Sequence, residues 1–188
     1  MKILLASQSL RRRQLLEEAG ISYSLLSKET DESYPAHLRC EGIARYVSKK
    51  KSDAFANEDI PDNTLIITAD TIVWLENEAL FKPKDEPDAI AMLGKLSGRR
   101  HTVATGVCLR SRRRQKVFHV LTDVFFKPLS VEERTYYVEH YKPFDKSGSY
   151  GIQEWIGLIG IERIEGSYTN VMGLPMKELY EELLLWRE

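Results

Sequence analysis

The chain has 188 residues, 43% of them hydrophobic and 29% charged, with a formal net charge of −1. Such a length suits one domain, or two small lobes, around a sizeable core, and a near-neutral balance excludes a field for gripping nucleic acid or an anionic membrane. Cys40 and Cys108 lie far apart without metal-type spacing, Ile3-Leu4-Leu5 is too short for a signal sequence, and no run approaches a membrane span, so free thiols in the cytoplasm are expected.

Ile3 to Ala6 reads as a short buried strand, and Leu10 to Ala19 as a helix with Leu15, Leu16 and Ala19 on one face and Gly20 as its stop. Ser9 is the expected N-cap. Arg11, Arg12 and Arg13 then crowd the first turn, where the helix dipole favours anions. Those charges make sense around a bound anion held by backbone N–H groups, serine hydroxyls and guanidinium forks; a solvated basic helix start is the plain alternative. Successive helical side chains point about 100° apart, so at most two of these arginines can share one target.

Tyr23 to Leu26 is predicted as a second strand leading to Thr30-Asp31-Glu32, and Leu38 to about Ala56 as an amphipathic helix carrying Lys49, Lys50 and Lys51. A lysine run is usually a solvated face. Next comes Leu65-Ile66-Ile67-Thr68-Ala69-Asp70-Thr71, after the turn-formers Pro61, Asp62 and Asn63. Three large aliphatics in a row have the pattern of a strand buried on both faces. The strand is expected to end at Asp70, a charge that is costly there unless a metal, a cation or water in a cleft meets it. A hairpin through Glu76-Asn77-Glu78 can return Lys82 beside it, and an ordinary surface ion pair is the alternative.

Asp85-Glu86-Pro87 starts a helix over Asp88 to Leu96, with Pro87 at its first position. His101 to Leu109 and Val117 to Phe126 read as strands joined by the basic tip Arg110 to Lys116. That tip has no aromatic for base stacking, which favours a solvated turn over a nucleic-acid patch. Ser130-Val131-Glu132-Glu133 is a capping box for a helix to about Tyr141, closed by Pro143. Asp145 to Gln153 is dense in glycine and hydroxyls, so its backbone can approach a ligand closely. The Gln153 amide can read a base edge or, in the plainer alternative, bond local backbone. Leu158 to Ile164 is predicted as a strand and 167–175 as a polar loop, before a C-terminal helix striped by Met176, Leu179, Tyr180, Leu183 and Leu184. Strands alternate with helices at first and an antiparallel section follows, which is an α/β class with a mixed sheet.

Five blocks in order then make the chain resemble the Maf family of nucleoside triphosphate pyrophosphatases along nearly its whole length. They are Leu5-Ala6-Ser7-Gln8-Ser9-Leu10-Arg11-Arg12, Ala69-Asp70-Thr71 with Lys82-Pro83, Leu96-Ser97-Gly98-Arg99-Arg100-His101, Asp145 to Gln153, and Asn170-Val171-Met172-Gly173-Leu174-Pro175. The Tyr150-Gly151-Ile152-Gln153 form is similar to the dTTP/UTP-specific branch. The resemblance implies one domain over residues 1–188, with two lobes on a twisted mixed sheet and a central cleft. That architecture is similar to inosine triphosphate pyrophosphatases, and commonly a homodimer. It further implies hydrolysis of dTTP, UTP and modified pyrimidine triphosphates to the monophosphate and pyrophosphate with Mg²⁺ or Mn²⁺, and no nucleic-acid or membrane partner.

By match to the family motifs, Ser7, Ser9, Arg11 and Arg12 would hold the triphosphate, and Lys51 and Lys82 would neutralise developing charge. Thr71 and Gln153 would contact the substrate. Glu32 and Asp70 would hold the metal, with Asp70 also the general base on the attacking water. The family usually has proline at the position of Leu10, whose loss removes some preset of the first helical turn. It often has glycine at Glu154, where a larger acidic side chain could alter access to the pocket. A link of the family to arrest of septation supplies a second reading, a regulator that binds nucleotide without turnover. Asp70 and both motif lysines favour the enzyme, because a binder needs no general base.

Overall fold

The structure, a computed structural model, describes residues 1–186. Along the chain come β1 (Lys2–Leu5), α1 (Leu10–Glu18), β2 (Ser24–Leu25), α2 (Cys40–Asp53), β3 (Thr64–Leu75), β4 (Glu78–Leu80), α3 (Glu86–Leu96), β5 (Arg100–Arg110) and β6 (Gln115–Phe126). They are followed by α4 (Val131–Tyr141), a 3₁₀ turn (Ser147–Ser149), α5 (Trp155–Gly160), β7 (Ile161–Glu165), α6 (Tyr168–Met172) and α7 (Met176–Leu185). The seven strands form one mixed sheet in the order β2-β1-β3-β5-β6-β7, with β4 also paired to β3.

One edge of β3 is shared between two strands. β1 runs parallel to its first residues, Thr64–Ile67, and β4 antiparallel to its last, Val73–Leu75. Between them, 68–72 has no strand on that side, whereas β5 covers the other edge without a break from Ile66 to Trp74. The cleft between the two lobes opens at this gap.

β3 alternates its faces, as a strand must. Ile66 and Ile72 pack toward α2 and the segment that follows it, and Thr68 Oγ1 donates to Ser48 O at 2.7 Å. Leu65, Ile67, Ala69 and Val73 enter the larger core with Leu93, Leu96, Tyr137, Leu174 and Leu179. Each large aliphatic buried in this way contributes about 1.5–3 kcal/mol. Gly106 of β5 sets how closely α2 lies, since a Cβ there would collide with the Ala44 carbonyl oxygen. That close approach brings the last turn of α2 onto the middle of β3.

Several expectations change. Asp70 does not end its strand: β3 runs on to Leu75, because Ile72, Val73 and Leu75 are themselves buried. The carboxylate is tolerated within the sheet because it stands at the gap. The predicted strand from Leu158 to Ile164 divides into the end of α5 and most of β7. A short apolar run fits either periodicity, and burial of Ile156 decided for the helix. Within the expected loop 167–175, α6 forms, capped by Ser167 Oγ, which accepts from Asn170 N, and ended by Gly173 at φ 117°. The basic tip shrinks to 111–114, because Arg110 Nε donates to Ser52 Oγ at 2.9 Å and Gln115 Nε2 to Asp53 Oδ1 at 2.9 Å, holding both strand ends. Pro87 occupies the second position of α3, after the N-cap Asp85. The Ser130–Glu133 capping box of α4 forms in full.

Candidate active site

Asp70 lies on the face of β3 that meets α2 and is only 9% exposed. Lys51, in the last turn of α2, sets its Nζ 2.7 Å from Asp70 Oδ1 and 2.8 Å from Glu32 Oε1. Two carboxylates from separate segments thus converge on one cation. Burial pushes the Asp70 pKa up, and the charges of Lys51 and Arg12 only partly offset this. For the more exposed Glu32 burial also pushes upward, but Lys51, Lys82 and Arg12 outweigh it and the net shift is down. Their environments therefore separate the two acids, leaving Asp70 the better proton acceptor and Glu32 the steadier anion. Of the neighbouring lysines, Lys50 is engaged by Asp31 and Ser33, and Lys49 by Asp53. Lys82, exposed beyond β4, lines the same cleft and has no ion pair among the described residues.

The N-terminus of α1 faces the gap from the other side. Ser9 caps it, its Oγ accepting from Arg12 N at 3.4 Å, and no acidic residue occupies the first turn. Ser7 Oγ accepts from Ser9 N at 3.2 Å and from Arg12 Nη1 at 3.3 Å. Arg12 also donates through Nε to Gly173 O at 2.7 Å and through Nη2 to Thr71 Oγ1 at 3.1 Å, so it ties α1 to α6 and β3. Burial pulls the Arg12 pKa down, and Asp70 opposes that shift. Arg11 reaches across to Asp145, Nη1 to Oδ2 at 2.9 Å. Arg13 turns away from the cleft and donates to Gln8 O at 3.5 Å.

The segment 145–154 closes the third side. Lys146, 8% exposed, bridges Asp145 Oδ1 at 2.8 Å and Glu154 Oε1 at 3.1 Å. Tyr137 of α4 donates its hydroxyl to Glu154 Oε2 and accepts from Gly151 N at 2.9 Å. Glu154 therefore braces the loop from behind and does not line the cleft. Gln153 faces inward, with Oε1 buried and without a hydrogen-bond partner. Lys146 was not among the sequence-derived candidates. Its only signal was an acid–base pair beside a glycine-rich loop.

The resulting cleft has a volume of about 1340 Å³ and is lined by Ser7, Ser9, Arg11, Arg12, Glu32, Lys51, Asp70, Thr71, Lys82 and Gln153 together. That exceeds the ~300–1,000 Å³ usual for small-molecule pockets, leaving room for a polyanion and a ring system at once. Among the described residues, no group of three or more His, Cys, Asp or Glu is placed to hold a metal by itself.

A family model described as Maf-like protein matches residues 2–185. A protein of Bacteroides fragilis named dTTP/UTP pyrophosphatase is 51% identical over 183 residues, covering 97% of this chain and 94% of the relative. Proteins of the same name from Phocaeicola vulgatus and Flavobacterium psychrophilum are 52% and 49% identical, each over 97% of this chain and 94% and 93% of their own length. Among solved structures, the Staphylococcus aureus Ham1 protein superposes with a TM-score of 0.53 at 15% identity, covering 100% of both chains. At that identity the likeness concerns the fold alone.

Proposed function

The chain belongs to the family of Maf-like proteins, and from that premise we propose that it hydrolyses dTTP, UTP and modified pyrimidine triphosphates to the monophosphate and pyrophosphate. The observation that carries this reading is Asp70, a buried carboxylate of raised pKa on a cleft that also holds a capped, basic helix N-terminus. A protein that only bound nucleotide would have no use for a proton acceptor at that place.

The triphosphate would lie against the N-terminus of α1, where free N–H groups and the helix dipole favour anions. Ser7, Ser9 and Arg11 surround that position, and Arg11 can exchange Asp145 for a phosphate oxygen. Arg12, with three of its nitrogens already bonded, is the fixed wall of the subsite. Water attacks the α-phosphorus: its oxygen bonds to phosphorus, its proton passes to an Asp70 carboxylate oxygen, and the α–β bridging P–O bond breaks to release pyrophosphate. Lys51 and Lys82 offset the charge that builds on the phosphates.

A Mg²⁺ or Mn²⁺ ion fits the donor set. Asp70 and Glu32 already converge on one cation, the Lys51 ammonium, and neither their Oδ2 nor Oε2 has a hydrogen-bond partner among the described residues. Such ions are commonly held by one or two carboxylates together with substrate phosphates. When bound, the ion would polarise a phosphate oxygen and lower the pKa of water.

For the base, the unpartnered Gln153 Oε1 supports pairing with N3–H of uracil or thymine, while the amide NH₂ meets O4. Cytosine reverses both polarities. A cytoplasmic homodimer is part of the same proposal. Buried free thiols at Cys40 and Cys108 suit a reducing compartment, and Leu10 and Leu158 offer exposed apolar contacts. Among the described residues, no helix is long and apolar enough to cross a membrane.

The test is incubation of purified protein with UTP, dTTP, CTP, ATP and GTP, with Mg²⁺ or with chelator, assaying pyrophosphate separately from orthophosphate. Pyrophosphate released foremost from UTP and dTTP, and lost with chelator, is the expected result. Orthophosphate without pyrophosphate, or tight triphosphate binding without turnover, overturns the reading.

A further inference from the structure

Thr71 lines the cleft on the face of β3 opposite Asp70, and behind it, in register on β5, stands Thr105. Thr105 is fully buried and does not reach the cleft. Its Oγ1 lies 3.0 Å from Asn170 O, a group that can only accept, and 2.9 Å from Thr71 Oγ1. A hydroxyl carries one proton. Thr105 gives its proton to Asn170 O, so a 2.9 Å contact between the two hydroxyl oxygens requires Thr71 to donate to Thr105. On its other side Thr71 Oγ1 accepts from Arg12 Nη2, which can only donate, at 3.1 Å.

The opposite wiring would have Thr105 donate to Thr71 and Thr71 to Gly173 O, across a longer 3.5 Å contact. In that arrangement too the Thr71 proton points into the protein. The acceptor end of the relay is fixed, because Asn170 Nδ2 donates to Val103 O at 3.1 Å and to Thr122 Oγ1 at 2.9 Å. With its proton on Thr105 and one lone pair taken by Arg12 Nη2, Thr71 keeps one lone pair for the cleft and no proton; in the opposite wiring it offers no proton either. Gln153 lacks any such partner, so its amide can turn over, whereas the polarity of Thr71 cannot reverse while Thr105 holds its proton.

We propose that Thr105 is a positioning residue that takes the Thr71 proton and thereby makes Thr71 an acceptor-only contact, selecting nucleotides that carry a hydrogen-bond donor at that point. The inference rests on the proposed pyrimidine triphosphate activity. UTP and dTTP share two donors beyond the phosphates, the N3–H of the base and the 3′-hydroxyl of the sugar. Gln153 Oε1 takes the first in the proposed pairing, which leaves the second for Thr71. CTP lacks the first and 3′-deoxy-UTP the second.

The experiment compares kcat/KM for UTP, CTP and 3′-deoxy-UTP in the wild type, Thr105→Val and Thr105→Ser. Valine keeps the branched shape and removes the acceptor, leaving the Thr71 proton to choose between the long 3.5 Å contact to Gly173 O and a turn toward the cleft. The wild-type preference for UTP over one of the two analogues should shrink by about two- to tenfold, the worth of one neutral hydrogen bond, and serine should restore it. The ratio that moves identifies the donor. Equal losses on all three substrates would overturn the inference, as would a wild type that turns over UTP yet discriminates against neither analogue. If Thr105→Val does not melt cooperatively, Thr105→Cys, a much weaker acceptor, takes its place and the same ratio decides. Absence of pyrophosphate from UTP in the wild type would instead remove the underlying activity.

Discussion

Replacing Asp70 by asparagine isolates the proton-accepting role from the shape of the site. The amide keeps the side-chain outline, and its carbonyl oxygen can still accept from Lys51, which lies 2.7 Å from Oδ1. Lys51 also retains Glu32 at 2.8 Å, so the substitution leaves no buried ammonium without an anion and the fold should persist. General-base assistance is worth ~10²–10⁴ in rate, or about 3–5 kcal/mol of barrier. Loss of a metal ligand would add to that. Triphosphate binding should be unchanged or tighter, since a negative charge beside a polyanion has gone. The assay is pyrophosphate release from UTP as a function of pH, with binding of a non-hydrolysable analogue measured in parallel. Asp70 must be ionised to accept a proton, so wild-type kcat/KM falls as pH drops through its pKa. Burial places that fall above the ordinary 3.8, and the variant should lack it. A variant keeping more than about a tenth of wild-type activity, too much for a lost general base, would refute the assignment. So would an unchanged acid limb.

Lys51→Met should move the acid limb of the wild-type profile to higher pH, because the ammonium opposes the effect of burial on Asp70; a limb that stays or moves down would show that Lys51 does not govern it. Arg11→Ala should lower kcat/KM for UTP by roughly tenfold or more, as loss of a charge-assisted hydrogen bond would, whereas Arg13→Ala should be nearly silent. Similar losses for both would mean a diffuse basic surface. Gln153→Ala should lower kcat/KM for UTP and dTTP and narrow the gap to CTP by about tenfold, the lower range for a paired base contact, with an unchanged melting curve. Gly106→Ala should cost about 3 kcal/mol in a denaturant titration, through collision with the Ala44 carbonyl, and should also impair turnover by shifting the helix that carries Lys51.

What the amino-acid order determined by itself is local. Ser9 and Ser130 announced their helix starts, because a cap is satisfied by the backbone of the next turn. Three aliphatics in a row marked β3 as a buried strand, and Asp70 as a charge needing a partner, because the cost of burying a charge does not depend on fold. Where neighbouring residues did not suffice, local reading failed. The run from Leu158 to Ile164 read as a strand but divides between a helix and a strand, and the continuation of β3 past Asp70 depended on β4 and β5 lying alongside. The partners came only from tertiary structure. That Lys51 faces Asp70 follows from how closely α2 packs on Gly106, and the two residues are 19 positions apart. Arg12 is held by a carbonyl 161 positions away. The wiring of Thr71 through Thr105 to Asn170 spans 34 and then 65 positions of the chain. Hydrogen bonds and ion pairs act over about 3 Å in space and carry no mark of separation along the chain, so only the packed fold could decide which groups meet.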